Sequence, residues 1–299
     1  LCPVDFSDTA LQALREAVAL ARTHHADVKA LHVLPGRLPP LSGLAVAAAG
    51  FLETGTRETH RSEDMQGRLR EFVAAVEDGV PVEAVVEEGR VVDQIASQAS
   101  ARDVDLVVMG THGHSGFENL TLGSTTDKAL RKVRCPVLTV PPADAETPRG
   151  AFSKVVCAVD FSPSARRALE CALSLGEEGE RELVLVHALE SLPGRENDSV
   201  AGPALAGFDA SGYRLALEDA ARGRLRTLLP PEASGWRVVE EVSAGRAHEQ
   251  VLEAAKRHAA DLIAIGVHGG DSLEHTLSGS TAYNVARRAR CPVLTARAA

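Results

Sequence analysis

Apolar residues along this chain follow two alternating spacings. Short, nearly continuous apolar runs fall at Leu1–Val4, Val28–Leu34, Val82–Val86, Leu106–Met109 and Val137–Val140, and again at Val155–Val159, Leu183–Leu189, Val238–Val242, Leu262–Ile265 and Val293–Ala296. Runs this short and this rich in Val, Leu and Ile predict strands buried on both faces. Between them the apolar period becomes helical, through Leu11, Leu14, Val18 and Ala21 in one stretch and Ala165, Leu169, Ala172 and Leu173 in another. Ser7 and Ser162 stand at N-cap positions, and Pro163 follows the second, where a fixed φ and a missing N–H suit the first helical turn. Strands alternating with helices predict an α/β fold with a parallel sheet covered by helices. Ligands of such sheets bind beyond the strand carboxyl ends, where strand order reverses.

The whole pattern is written twice. Gly110-x2-Gly113-x9-Gly123-Ser124-Thr125 is matched by Gly266-x2-Gly269-x9-Gly279-Ser280-Thr281, 156 residues later. Cys2, Asp5, Phe6, Ser7 and His32 map to Cys157, Asp160, Phe161, Ser162 and His187 at an offset of 155, and Gly89-Arg90 to Gly245-Arg246 at 156. A single-residue indel accounts for the change, the stretch from His32 to Gly89 being one residue shorter than that from His187 to Gly245. The period is too long for a solenoid and indicates tandem duplication of a whole fold, each copy of about 145 residues and of ordinary domain size. The expected domains are 1–145 and 150–299, joined by the Pro-, Ala- and Asp-containing stretch Pro141–Gly150. Leu1 aligns with Val156, so the counterpart of Phe152–Val155 is missing and the natural start is expected a few residues upstream.

Composition narrows the function classes. A net charge of −9 and 3% aromatic residues speak against a nucleic-acid partner. The basic clusters Lys128–Arg134 and Arg287–Arg290 fall in predicted last helical turns, where cations suit the dipole. Five cysteines include the repeated pairs Cys2/Cys157 and Cys135/Cys291, in or beside buried strands, which predicts free thiols in a reducing compartment and a cytoplasmic location. The apolar stretch Leu41–Leu52 is too short and too rich in Gly and Ala to span a bilayer, so no membrane association is expected. Pro35–Gly55 and Leu192–Gly212 are non-periodic in both copies, and either close over a site or present a partner surface.

The glycine signature carries the candidate chemistry. Glycines let a backbone approach phosphates closely, and Gly-Ser-Thr opening a helix offers amides and hydroxyls to an anion. A glycine turn with a capped helix and no ligand is the alternative. No Gly-Lys dipeptide occurs, which excludes a Walker A loop, and Gly110-x2-Gly113-x2-Gly116 lacks the dinucleotide-binding spacing. Gly269-Gly270-Asp271-Ser272 resembles part of a pyrophosphatase loop, but such a loop belongs after a first strand. His112 and His114 have no cysteine partners at zinc spacing, so no metal site is expected there. His32 and His187 are read as structural histidines.

Val-Asp-Phe-Ser at the first strand, Leu-His-Val in the second, the G-x2-G-x9-G-S/T signature and the closing Cys-Pro-Val-Leu together resemble the universal stress protein family, here as a tandem two-domain member. The resemblance covers nearly the whole chain. It implies a five-stranded parallel sheet of order 3-2-1-4-5 in each domain, binding of ATP or a related adenine nucleotide (AMP or ADP), with Mg2+ as a possible companion, and pairing of domains through the fifth strand. In a tandem chain that pairing would be internal, with further homodimerisation and a protein partner left open. Carried over by position, Asp5 and Asp160 contact the adenosine end, which suits a carboxylate that accepts hydrogen bonds and repels phosphate. Val33 packs the base, and its counterpart is Ala188, a weaker grip. Gly110, Gly113, Gly123, Ser124 and Thr125 hold ribose and phosphates beside Met109 and His112. Gly266, Gly269, Gly279, Ser280 and Thr281 do so beside Ile265 and His268.

One departure matters. Many members carry a basic residue after the second glycine, where this chain has His114 and Gly270. The second loop also holds Asp271 and Glu274, against Glu118 alone in the first, and acids beside a triphosphate oppose binding unless Mg2+ bridges them. The first site is therefore expected to bind better. The expected function is an ATP-binding stress-response protein working as a nucleotide-dependent regulatory or interaction module. A slow Mg-dependent ATPase using Asp5 or Glu118 is the enzymatic alternative, although a catalytic lysine and an arginine finger are not evident. A scaffold that has lost nucleotide binding is the third reading.

Overall fold

The computed structural model describes residues 1–36, 51–76, 78–100, 103–112, 122–142, 150–177, 179–189, 210–267 and 281–298. They fall into two units, Leu1–Gly150 and Ala151–Ala299. In the first, the elements are β1 (Cys2–Pro3), α1 (Asp8–His24), β2 (Val28–Pro35), α2 (Phe51–Ala74), β3 (Val82–Gly89), α3 (Val91–Ala99), β4 (Val107–Gly110), α4 (Ser124–Lys132) and β5 (Val137–Val140). In the second they are β6 (Lys154–Ala158), α5 (Pro163–Ser174), β7 (Arg181–Leu189), α6 (Ala210–Leu228), β8 (Trp236–Ala244), α7 (Ala247–Arg257), β9 (Leu262–Gly266), α8 (Thr281–Arg288) and β10 (Val293–Ala296).

All pairings within each unit are parallel. In the second unit the neighbours run β8-β7-β6-β9-β10. In the first, β3 pairs β2, β2 pairs β1, and β4 pairs β5. Val108 N donates to Leu1 O at 2.9 Å and sets β4 beside β1, which gives the same lateral sequence. The expected strand Leu1–Val4 shrinks to Cys2–Pro3. Cys2–Pro3 correspond to Cys157–Ala158, the last two residues of Lys154–Ala158, so the first strands of both units end at the same place.

The helices form as their caps and apolar spacing dictate. Ser7 Oγ accepts from Ala10 N at 3.2 Å and Ser162 Oγ from Ala165 N at 3.1 Å, each a bond whose loss costs about 1 kcal/mol. Leu14 is fully buried in the first unit and Leu169 in the second. Helices α2 and α6 begin inside the stretches read as non-periodic, at Phe51 and Ala210. Their packing signal lies further on, in buried Leu69, Val73 and Val76 and in Ala221, Leu225 and Leu228, at i, i+4 and i+7. None of the described helices is long and apolar enough to cross a membrane.

Burial accounts for the cysteines. All five are free. Burial pushes the Cys2 and Cys157 thiols up to about 12, and raises Cys135 and Cys171 as well. At the outer side of the second unit His258 places Nδ1 2.7 Å from Glu182 Oε1 and Nε2 2.7 Å from Glu241 Oε1, while Arg257 Nη2 donates to Glu241 Oε2 at 2.6 Å. Burial pushes the Glu241 carboxyl up, but the hydrogen bonds from Arg257 and His258 outweigh it, and the net value lies below the ordinary carboxylate range.

Two outcomes follow from these environments. Because the thiolate is the reactive form, a maleimide applied to the native protein at mild alkaline pH should leave Cys2 and Cys157 unlabelled until denaturant is added; mass spectrometry showing either labelled natively would contradict the burial. A folded carboxyl value depressed below the unfolded one stabilises the protein above the unfolded value and loses that contribution as pH falls through the folded one. Glu241→Gln should therefore lower the urea midpoint at about pH 7, and its deficit against wild type should shrink towards about pH 3. A deficit that stays constant with pH would assign the loss to packing.

Candidate functional site

The carboxyl ends of β1 and β4 lie side by side in the first unit, and the residues that follow them are tied together. After β1 the chain turns through Asp5, Phe6 and Ser7. Asp5 Oδ1 accepts from Ser7 N at 3.0 Å and from Ser7 Oγ at 2.5 Å. Ser7 Oγ lies 3.1 Å from Thr9 Oγ1, and Thr9 Oγ1 donates to the carbonyl of His112, beyond the end of β4. Two adjacent hydroxyls thus serve the two strand ends, Ser7 donating to the exposed carboxylate of Asp5 and Thr9 to the entrance of the glycine loop.

The loop is pinned at both ends. Thr111 N donates to Val140 O at 3.0 Å, Gly123 N donates to Thr111 O at 2.7 Å, and Thr126 Oγ1 donates to Gly110 O at 2.8 Å. Helix α4 then opens at Ser124 with Gly123 as N-cap and no side-chain cap bond. Its first intrahelical bond runs from Asp127 N to Gly123 O, so the amides of Ser124 and Thr125 lie ahead of it at the positive end of the helix. His112 Nδ1 is 2.9 Å from Thr111 Oγ1. Its Nε2 is buried with no hydrogen-bond partner among the described residues. A buried polar atom left unpaired costs about 1–3 kcal/mol, so this nitrogen favours a bound polar group.

Two of the signature glycines serve a purpose that sequence spacing did not reveal. A Cβ at Gly110 would lie 3.0 Å from the carbonyl oxygen and the Cβ of Thr9. At Gly266 it would lie 2.4 Å from Ala165 N. These glycines admit the first turns of α1 and α5 against the ends of β4 and β9, which brings Thr9 within reach of His112. Gly123 is tight for a related reason, its Cβ position being 3.1 Å from Thr111 O.

The remaining expected residues take the following places. Val33 of β2 and Met109 of β4 are buried. The β1–β2 register pairs Pro3 with Leu31, which continues to place Val33 level with Asp5. In the second unit Ala158 pairs with Val186, which places Ala188 level with Asp160. Ile265 is buried, Gly266 ends β9 and Thr281 opens α8. Gly113, His268, Gly269, Gly279 and Ser280 lie outside the described residues, as do His114, Glu118, Asp271 and Glu274. Among the described residues no cluster of His, Cys, Asp and Glu could hold a metal ion.

The repeated histidines are structural. His32 Nδ1 lies 2.7 Å from Val4 O and His187 Nδ1 2.7 Å from Val159 O. Sequence reading missed Thr9, an ordinary helix-start residue whose role depends on a partner 103 positions away.

The model of the universal stress protein family matches residues 1–141 and again 151–297. A universal stress protein of Synechocystis sp. is 24% identical over 312 aligned positions, covering 99% of this chain and 98% of its own length. One from Methanocaldococcus jannaschii is 31% identical over 138 residues, which is 46% of this chain and 78% of that protein. Among solved structures, a universal stress protein from Archaeoglobus fulgidus shares the fold with a TM-score of 0.68 at 21% identity, covering 100% of this chain and 97% of that one.

The glycine geometry carries its own test. Gly110→Ala and Gly266→Ala should each lower the urea midpoint of the ligand-free protein, by about 1–3 kcal/mol of overpacking. Gly266→Ala should be the worse, since its Cβ meets backbone at 2.4 Å. Unchanged midpoints would mean that these glycines are not there to admit the helices.

Proposed function

Because the chain belongs to the universal stress protein family, we propose that it is an adenine-nucleotide-binding stress-response protein, taking ATP or its AMP and ADP relatives and acting as a nucleotide-dependent regulatory or interaction module in the cytoplasm. The observation that carries this reading is the junction at the ends of β1 and β4, where Ser7 holds the Asp5 carboxylate, Thr9 holds the His112 carbonyl ahead of the start of α4, and His112 Nε2 is buried with no partner among the described residues. It supplies a carboxylate acceptor at one end and, at the other, a helix start with free amides. A nucleoside phosphate has that polarity: amine and hydroxyl donors at one end, anionic oxygens at the other.

In this reading Asp5 accepts from the adenosine part, Val33 packs the base, and Gly110, Gly113, Gly123, Ser124 and Thr125 hold ribose and phosphates beside Met109 and His112. Asp160, Ala188, Ile265, Gly266, His268, Gly269, Gly279, Ser280 and Thr281 make the corresponding second site, in domains divided as 1–145 and 150–299. The smaller Ala188 and the acids Asp271 and Glu274 weaken that second site. Mg2+, where present, would be held chiefly by the phosphates, which keeps the site one of binding and conformational response.

Calorimetric titration with ATP, with and without Mg2+, on wild type, Gly113→Val and Gly269→Val tests the reading. Two sites are expected, the first tighter, with each variant losing one. Parallel titrations with AMP and a cyclic nucleotide rank the ligands, and phosphate release measured alongside should stay negligible. No binding by calorimetry and by an independent displacement assay would sink the proposal in favour of a scaffold. Steady turnover abolished by Asp5→Asn would move it to the ATPase.

A further inference from the structure

The turn after the first strand of each unit holds a phenylalanine in left-handed backbone, Phe6 with φ 64° and Phe161 with φ 63°. Glycine adopts this conformation freely, whereas a bulky side chain keeps it only where its surroundings over-determine it. The surroundings are the same in both units. The Phe6 ring packs on His32 with centroids 4.6 Å apart, and the guanidinium of Arg68 from α2 lies 4.3 Å above it. The Phe161 ring packs on His187 at 4.7 Å, with the guanidinium of Arg224 from α6 at 3.8 Å. Other neighbours change: Phe72 meets Phe6 edge-on at 5.4 Å, and the residue at its place in the second unit is Leu228. The imidazole, the aromatic ring and the guanidinium are retained.

The histidine in each stack also holds the strand. His32 Nδ1 lies 2.7 Å from Val4 O, and His187 Nδ1 2.7 Å from Val159 O. Asp5 sits between Val4 and Phe6, and Asp160 between Val159 and Phe161. One imidazole therefore grips the backbone before each aspartate and the ring after it, and the arginine closes the stack from the helix side. With both flanks fixed, the carboxylate direction is fixed as well. Asp5 Oδ1 accepts from Ser7 N and Ser7 Oγ, and Oδ2 meets no hydrogen-bond donor among the described residues.

We propose that Phe6 and Phe161, stacked between His32 and Arg68 and between His187 and Arg224, are positioning residues that aim Asp5 and Asp160 at the nucleoside part of the ligand. This rests on the adenine-nucleotide reading of the site. The left-handed turn is then a feature of binding as well as of the fold, because a relaxed turn would let the carboxylate swing while the sheet and α1 stayed in place.

A double-mutant cycle on the full-length chain tests it, reading the first-site ATP affinity by calorimetry. Phe6→Ala should weaken binding about tenfold and Arg68→Met about threefold, within the range for coupled neighbours. In an Asp5→Asn background neither change should weaken binding further. Phe6→Tyr, which keeps the ring, should restore wild-type affinity. Equal losses with and without the Asp5 carboxylate would overturn the positioning role while leaving nucleotide binding intact, since a merely structural effect is additive. Wild type that binds no ATP would overturn the nucleotide reading and this role together. Should Phe6→Ala fail to fold, as judged by circular dichroism, the Arg68→Met and Asp5→Asn cycle decides alone, because Arg68 is exposed.

Discussion

Much of the site depends on how closely the first helix of each unit approaches the end of the fourth strand. That approach is set by a missing side chain. At Gly110 and Gly266 the backbone of the helix start occupies the space a Cβ would need. Any other residue would push α1 or α5 outward and separate Thr9 from His112. The glycine thus acts before any ligand does: it brings the two strand ends into one polar junction, and the loop that follows inherits its starting point.

From that contact the polar order builds outward. The Ser7 hydroxyl caps α1 and also donates to Asp5, so the bond that starts the helix restrains the carboxylate. The adjacent Thr9 hydroxyl donates to the carbonyl of His112, and Thr126 and Gly123 return the far side of the loop to Gly110 and Thr111. Each group is restrained by a neighbour that has its own role in the fold, which is how a site becomes pre-organised. Buried apolar residues such as Leu14, Leu31 and Leu138 hold the elements that carry it.

The duplication allows a comparison inside one molecule. The stack of imidazole, phenylalanine and arginine, the Asx-type turn and the tight glycine are present in both units. The last residue of the first strand differs, Pro3 in one unit and Ala158 in the other. The residue level with the aspartate differs as well, Val33 against Ala188. The shared features surround the aspartate, and the differences lie in the apolar residues beside it.

The sequence by itself determined the α/β class, the tandem organisation, both serine caps and the free thiols. These were legible because each is a local signal: a period of apolar residues, a cap within one turn, or a motif whose register repeats in the same chain. The starts of α2 and α6 were not, since they fall in stretches whose residues show no helical period. The tertiary structure alone decided that Gly110 and Gly266 make room for a helix, that His32 and His187 hold a strand carbonyl, that Thr9 reaches His112, and that Phe6 and Phe161 sit in left-handed backbone. Each depends on atoms brought together from distant parts of the chain, and a one-dimensional pattern of residue types carries no record of which side of a strand a neighbour will approach.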